Sequence, residues 1–136
     1  MSAGQIVVID DSYLILDRIR DGLRAAGYEV HTTTGAAAAT LLVRTADLAI
    51  IDFHMPGIDG AEMLARLRRS AAPGNPCLYY LYTSDRAVAA RYGEYGFDGA
   101  FLRKGEEAAL VPQVGAVFRT IRMHKLAKKL RDERHP

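Results

Sequence analysis

Residues 5–11 carry the sequence Gln-Ile-Val-Val-Ile-Asp-Asp, a short uninterrupted apolar run that ends in two carboxylates. An apolar run of this length, without alternation of polar and apolar residues, is typical of a strand that is covered on both faces. Four more short apolar runs follow it along the chain. The predicted strands are residues 5–9, 28–32, 48–51, 77–82 and 100–102.

Longer segments of helical spacing separate these strands. After residue 11, Ile15, Ile19 and Leu23 recur at the spacing of one helix face, and Gly27 follows where a glycine often ends a helix. Further helices are expected at residues 35–45, 59–70, 84–95 and from 107 onward. Five repeats of strand and helix with right-handed crossovers predict an α/β fold with a doubly wound parallel sheet.

The composition favours one soluble domain. With 136 residues, of which 49% are hydrophobic, the chain suits a single core. Cys77 is the only cysteine and lies in a predicted strand, so we expect a buried, inert thiol. No segment has the length of a membrane span, and the N-terminus lacks the layout of a signal peptide. We therefore expect a cytoplasmic protein that does not associate with membranes.

Charged and hydroxyl residues follow the predicted strands. Asp10 and Asp11 come after the first, Asp52 after the third, Thr83 after the fourth and Lys104 after the fifth. Because the carboxyl ends of parallel strands share one edge of a sheet, these residues are expected to converge. Crowded carboxylates recruit a hard cation, and an oxygen-only ligand set suits Mg²⁺. The pattern predicts a phosphoryl-transfer site with an aspartate nucleophile and an ammonium group.

Four runs, at residues 8–12, 51–60, 82–84 and 101–104, resemble the signature of two-component response-regulator receiver domains of the chemotaxis-regulator type. The resemblance covers almost the whole chain. It implies a (βα)5 flavodoxin-like fold in which the five parallel strands take the order 2-1-3-4-5.

The resemblance also implies roles for single residues. Asp52 would accept a phosphoryl group from a sensor histidine kinase, a phosphohistidine transfer protein or a small acyl phosphate. Asp11, Asp52 and the backbone carbonyl of His54 would bind Mg²⁺, and Asp10 would act through water. Lys104 would pair with the phosphoryl group. The chain would thereby catalyse its own phosphorylation and dephosphorylation, although its main role would be signalling.

A switch is implied as well. Thr83 would turn inward to the phosphoryl group, and Phe101 would follow into the vacated space, so the unphosphorylated protein should hold both outward. His54 and Asp85 occupy positions that tune the hydrolysis of the acyl phosphate in this family. Gly105 departs from the family pattern, in which a proline follows the lysine, and this leaves the turn around Lys104 without a built-in constraint.

The C-terminal segment is basic. Residues 119–135 carry a net charge of +5, which leaves −3 for the remainder. An apolar stripe including Leu110 and Ile121 predicts a helix packed on the sheet, with Pro112 tolerated only in its first turn. We assign residues 1–121 to the receiver domain and 122–136 to a helical extension. This extension is interpreted as a solvated end, a coiled-coil seam or the joint to an effector domain.

Two function classes stay open. The first is a phosphorylation-dependent receiver that partners with a histidine kinase and dimerises through its last helices or through the face made by its fourth helix, fifth strand and fifth helix. The second is a receiver-like interaction module that works without phosphorylation. A haloacid-dehalogenase-type hydrolase is disfavoured, because that class has a second aspartate where His54 stands. No reader motif indicates direct binding to nucleic acid.

Overall fold

In the computed structural model, which describes residues 2–134, a parallel sheet forms the centre of the molecule. Strand β1 (Gln5–Ile9) pairs with β2 (Glu29–Thr33) on one side and with β3 (Leu48–Asp52) on the other. Beyond β3 lie β4 (Leu78–Tyr82) and the edge strand β5 (Gly99–Phe101). The order β2-β1-β3-β4-β5 confirms the predicted doubly wound topology.

Helices cover both faces of this sheet. They are α1 (Tyr13–Ala25), α2 (Ala36–Leu42), α3 (Gly60–Ser70), α4 (Arg86–Ala90) and α5 (Glu107–Arg134). Residues from α1 and α5 share one core cluster, and residues from α2, α3 and α4 share the other. The short α2 and α4 contrast with α5, which is the longest element of the described chain.

Strand β1 shows why an uninterrupted apolar run predicts a strand that is covered on both faces. Its residues alternate between the two clusters: Ile6 and Val8 face α1 and α5, whereas Val7 and Ile9 face the opposite helices. All four are buried. Each side chain of this size contributes about 1.5–3 kcal/mol by leaving water, which only a strand covered on both faces obtains at every position.

The observed boundaries lie within three residues of the predicted ones, except in the fourth helix. The sequence predicts one helix over residues 84–95, but α4 ends at Ala90 and a 3₁₀ turn (Tyr92–Tyr95) follows. Gly93 lies in this turn, and Gly96 ends it with a left-handed φ of 92°. Glycine is a weak helix former, and the backbone at Arg91 has already left helical geometry.

The prediction for Pro112 is wrong. It lies inside α5, in the second turn, where it deprives the carbonyl of Ala108 of its usual donor. Ala108 is exposed, so water can satisfy this carbonyl. Farther along, α5 runs unbroken past Ile121, and every described residue from 122 to 134 is exposed.

Two further sequence predictions concern Cys77 and membrane-spanning segments. Cys77 is buried as predicted, and burial raises the pKa of its thiol to about 12, which suits an inert side chain. Between residues 2 and 134, no helix combines the length and the apolar character needed to cross a membrane.

Candidate functional site

The carboxylates meet because of the strand register. Ile9 of β1 lies beside Ile51 of β3, so Asp10 and Asp52 leave the sheet next to each other. Ligand oxygens of Asp10, Asp11 and Asp52 all lie within 4.8 Å of one another. Asp10 and Asp52 are buried, whereas Asp11 is exposed. The predicted acidic cluster therefore exists and opens to solvent through Asp11.

Lys104, which follows the last strand of the sheet, contacts this cluster. Its Nζ donates to Asp52 Oδ1 at 2.5 Å and lies 3.0 Å from Asp10 Oδ2. Only 12% of the lysine side chain is exposed, so water screens these contacts weakly. One ammonium group thus partly offsets two buried carboxylates.

The chemistry of Asp52 reflects its surroundings. Burial raises the pKa of this carboxyl, and Asp10 and Asp11 add to the rise by like-charge repulsion. The hydrogen bond and the positive charge of Lys104 oppose the rise without cancelling it. Lys104 thus favours the ionised form of Asp52, which is the form that attacks phosphorus.

The turn that carries Lys104 has its own geometry. The residues on either side are both left-handed, with φ of 66° at Arg103 and 98° at Gly105. The carbonyl of Arg103 accepts a hydrogen bond from the Tyr82 hydroxyl at 3.4 Å. The guanidinium of Arg103 forms an ion pair with Glu106. The backbone at position 105 therefore requires a residue such as glycine, because proline cannot adopt a positive φ.

Gly60 is a site residue that sequence reasoning missed. The sequence suggests an ordinary turn glycine, but Gly60 is the first residue of α3 and packs against the backbone of Asp52. A Cβ at this position would lie 2.8 Å from the carbonyl oxygen of Asp52. Its N–H also donates to the carbonyl of Phe53 at 2.8 Å. A glycine in sequence carries no signal of such a close approach.

Thr83 and Asp85 organise the loop after β4. The buried hydroxyl of Thr83 accepts the backbone N–H of Asp85 at 3.1 Å. Asp85 in turn caps α4 by accepting from Ala87 N and Val88 N. On the opposite loop, His54 places Nε2 3.6 Å from Asp85 Oδ2. The two predicted tuning residues therefore contact each other.

Phe101 does not take the outward position predicted for the unphosphorylated protein. Its side chain is 2% exposed and stacks on Tyr80, with ring centroids 4.7 Å apart. The Tyr80 ring lies over Gly99, where a Cβ would approach it to 2.5 Å. The glycine leaves room for this stack, and the apolar contact of the two rings favours the inward position.

The backbone of Leu102 is fastened to α5 by Gln113, another residue that sequence reasoning missed. The N–H of Leu102 donates to Gln113 Oε1 at 2.8 Å, and Gln113 Nε2 donates to the carbonyl of Leu102 at 3.0 Å. Nε2 also donates to the carbonyl of Ala109 at 3.0 Å. Gln113 therefore links the end of β5, two residues before Lys104, to the start of α5.

The donor set fits a hard divalent cation. Three carboxylates supply only oxygen ligands, and they line a cleft of about 370 Å³ that is also lined by His54, Thr83 and Lys104. Mg²⁺ favours such ligands and keeps several waters, for which the exposed Asp11 leaves access.

Comparison with known proteins agrees with this geometry. Residues 6–114 match the family model described as the response regulator receiver domain. The transcriptional regulatory protein PrrA of Mycobacterium leprae is 31% identical over 122 residues, which are 88% of this chain and 52% of PrrA. The phosphate regulon regulator PhoB of Rhizobium meliloti is 27% identical over 130 residues, which are 93% of this chain and 57% of PhoB. The chain thus spans about half the length of these two relatives.

Among solved structures, response regulator TrrA from Thermotoga maritima, in complex with Mg²⁺ and a beryllium fluoride, superimposes with a TM-score of 0.68. It is 24% identical, and the match covers 85% of this chain and 98% of TrrA. At this identity the superposition shows the shared fold.

Proposed function

Because this chain belongs to the response regulator receiver domain family, we propose that it is phosphorylated on Asp52 by a histidine kinase or another phosphohistidine donor. The observation that carries the proposal is the contact of Lys104 Nζ with Asp52 and Asp10. It places a positive charge directly beside Asp52, the proposed nucleophile. The intact acidic cluster supports the same role.

In the proposed reaction, a carboxylate oxygen of Asp52 attacks the phosphorus of the donor. The bond from phosphorus to the donor imidazole nitrogen breaks, and its electron pair leaves with the imidazole. Lys104, already within hydrogen-bond distance of Asp52, pairs with the negative charge of the transferred group. The product is an aspartyl phosphate.

We propose that Asp11, Asp52 and the His54 carbonyl hold Mg²⁺, with Asp10 acting through water. When bound, the cation neutralises charge on the phosphoryl oxygens. TrrA has the same fold, and its solved complex with Mg²⁺ and a beryllium fluoride is consistent with this assignment.

Thr83 and Phe101 are proposed to report the phosphoryl group. The Thr83 oxygen already accepts from Asp85 N, so its own proton remains available for a phosphoryl oxygen. Since Phe101 is buried beforehand, phosphorylation would stabilise an existing arrangement rather than create one.

His54 and Asp85 are proposed to tune the lifetime of the aspartyl phosphate, because their side chains lie 3.6 Å apart on the two loops beside the cleft. Asp85→Ala would separate them and should change the rate of dephosphorylation. The exposed Asp132 on α5 serves as a control, because Asp132→Ala should leave that rate unchanged.

A second copy is a further candidate partner, and the α4-β5-α5 face is the surface we favour for it. Leu102 is 60% exposed there, and a groove of about 710 Å³ combines Arg86 and Arg103 with the acidic Glu106. Mixed charge allows two identical faces to complement each other. The last helix is the alternative surface, but it carries seven basic and three acidic side chains, so two copies would repel each other there.

The competing function is an interaction module that works without phosphorylation. The inward Phe101 favours it, because the arrangement expected of a phosphorylated receiver is already present. Beryllofluoride with Mg²⁺ separates the two functions. A phosphorylated receiver should show amide NMR shifts at Thr83 and along β5, whereas an interaction module should show none.

The test of the main proposal is intact-mass spectrometry after incubation with Mg²⁺ and a small acyl phosphate. We expect one added phosphoryl group on the unaltered chain and none on Asp52→Ala. A folded Asp52→Ala variant that still gains the group at the full rate would contradict the assignment.

A further inference from the structure

The C-terminal half of α5 presents apolar residues to solvent. Met123 is 66% exposed, and Leu126 and Leu130 are each 51% exposed. Their spacing of three and then four residues is that of a coiled-coil seam. A shallow groove of about 460 Å³ runs along the helix from Ala116 to Ala127 and includes Met123.

This seam points away from the domain. Leu110, Val114 and Phe118 bury the opposite face of α5 against the sheet. At about 100° per residue, the seam lies roughly half a turn around the helix from them. Lys125, on the domain side, places Nζ 3.8 Å from Asp47 Oδ1. The domain itself therefore leaves the seam uncovered.

The charges beside the seam select the kind of helix that can cover it. Arg122 and Lys129 occupy one flank and Arg134 occupies the other, while Glu133 lies at the C-terminal end of the seam itself, so bases outnumber acids three to one. In a parallel pair of two copies, Lys129 would face the second copy's Arg134. In an antiparallel pair, Arg122 would face the second copy's Lys129. Both arrangements place like charges together, so a second copy is a poor match.

We propose that this seam docks an acidic amphipathic helix of another protein, with apolar residues at its contact positions and Glu or Asp beside them. Phosphates of a nucleic acid would contact the basic residues but leave Met123, Leu126 and Leu130 without a role. A membrane surface is a poorer fit, because the stripe is narrow and the charged residues Arg119 and Glu133 interrupt its two ends. The proposal does not depend on phosphorylation of Asp52.

The probe is a synthetic peptide of about four heptads with Leu at a and d and Glu at e and g. In an NMR titration of the full chain, we expect saturable shifts of the amides of residues 122–130. A peptide with Lys in place of Glu should bind at least about tenfold more weakly. Leu126→Ser should weaken binding of the acidic peptide while circular dichroism shows the helix retained.

Two neighbouring lysines give a matched pair of variants. Lys129→Glu places an acid beside the seam and should weaken binding of the acidic peptide by about tenfold. Lys128→Glu makes the same charge change on the side of the helix away from the seam, and its effect should be less than about twofold.

Several outcomes would overturn the proposal. They are the absence of saturable binding, equal losses for Lys128→Glu and Lys129→Glu, and tighter binding to duplex DNA or phosphatidylserine vesicles than to the acidic peptide. A dimer in sedimentation that the peptide disrupts and Leu126→Ser abolishes would instead identify a second copy as the occupant.

Discussion

The acidic edge of the sheet and the C-terminal half of α5 differ in how far their charged residues are buried and in how many contacts they make with the rest of the domain. At the edge, residues as distant as Asp10 and Lys104 meet, and the contacts are buried. Along α5 beyond Ile121, every described residue is exposed, and the ion pair of Lys125 with Asp47 is long at 3.8 Å. Substitutions should therefore change stability at the edge and be nearly silent for stability in the extension.

The largest contrast is expected within α5 itself. Leu110→Ala removes a side chain that is 1% exposed and should lower the free energy of unfolding by about 3 kcal/mol, because it leaves a cavity under the sheet. Leu130→Ala makes the same chemical change at an exposed position and should alter it by less than about 0.5 kcal/mol. Urea denaturation measures both. Similar losses would show that the extension is packed in solution.

Two glycine substitutions should differ in sign. Gly60→Ala forces a Cβ against the backbone of Asp52 and should destabilise the fold by about 2 kcal/mol. Gly115→Ala meets only the flexible end of Arg119, at 3.7 Å, and should stabilise α5 by about 0.5–1 kcal/mol. Thermal unfolding gives both values. A neutral Gly60→Ala would mean that the loop after Asp52 yields easily.

Asp52→Asn should change how stability depends on pH. The folded-state pKa of Asp52 is raised above its ordinary value of 3.8, so the folded protein binds this proton more readily than the unfolded chain. The associated stability is fully present below pH 3.8 and is lost as the pH rises through the raised pKa. At pH 7 the variant should be more stable by on the order of 1 kcal/mol, since a buried charge is removed while Lys104 keeps Asp10.

Unfolding in urea at several pH values provides the check. The advantage of Asp52→Asn should shrink as the pH falls toward 3.8. Asp132→Asn, on the exposed extension, should show no such trend. An advantage that grows on acidification would reverse the assigned direction of the pKa.

A small effect is expected where the acidic edge meets the first turns of α5. Gln113→Ala removes the amide that holds both backbone groups of Leu102 and should cost about 1 kcal/mol, because water replaces these bonds at an exposed residue. Gln113→Glu keeps the acceptor for Leu102 N but loses the donors, so its cost should be similar or smaller. Faster amide exchange at Leu102 in both variants is the measurement, and unchanged exchange would show that the edge does not need this link.

The sequence predicted the acidic edge well, because apolar runs reveal buried strands and parallel topology brings their carboxyl ends together. The details that it missed depend on contacts between distant residues. They are the close approach of Gly60 to the backbone of Asp52, the hydrogen bonds between Gln113 and Leu102, and the stack of Tyr80 on Phe101. None of these contacts produces a repeating pattern in the sequence. The tolerance of Pro112 likewise depends on the exposure of Ala108, which only the fold determines.

The proposal that Asp52 is the single acceptor on this edge can be tested most directly by locating the phosphoryl group. The acyl phosphate formed with Mg²⁺ and a small donor is reduced with hydride, which converts the modified aspartate to a residue of distinct mass, and the digested chain is mapped by tandem mass spectrometry. We expect the converted residue at position 52 alone. Conversion at Asp10 or Asp11, with Asp52 unmodified, would contradict it.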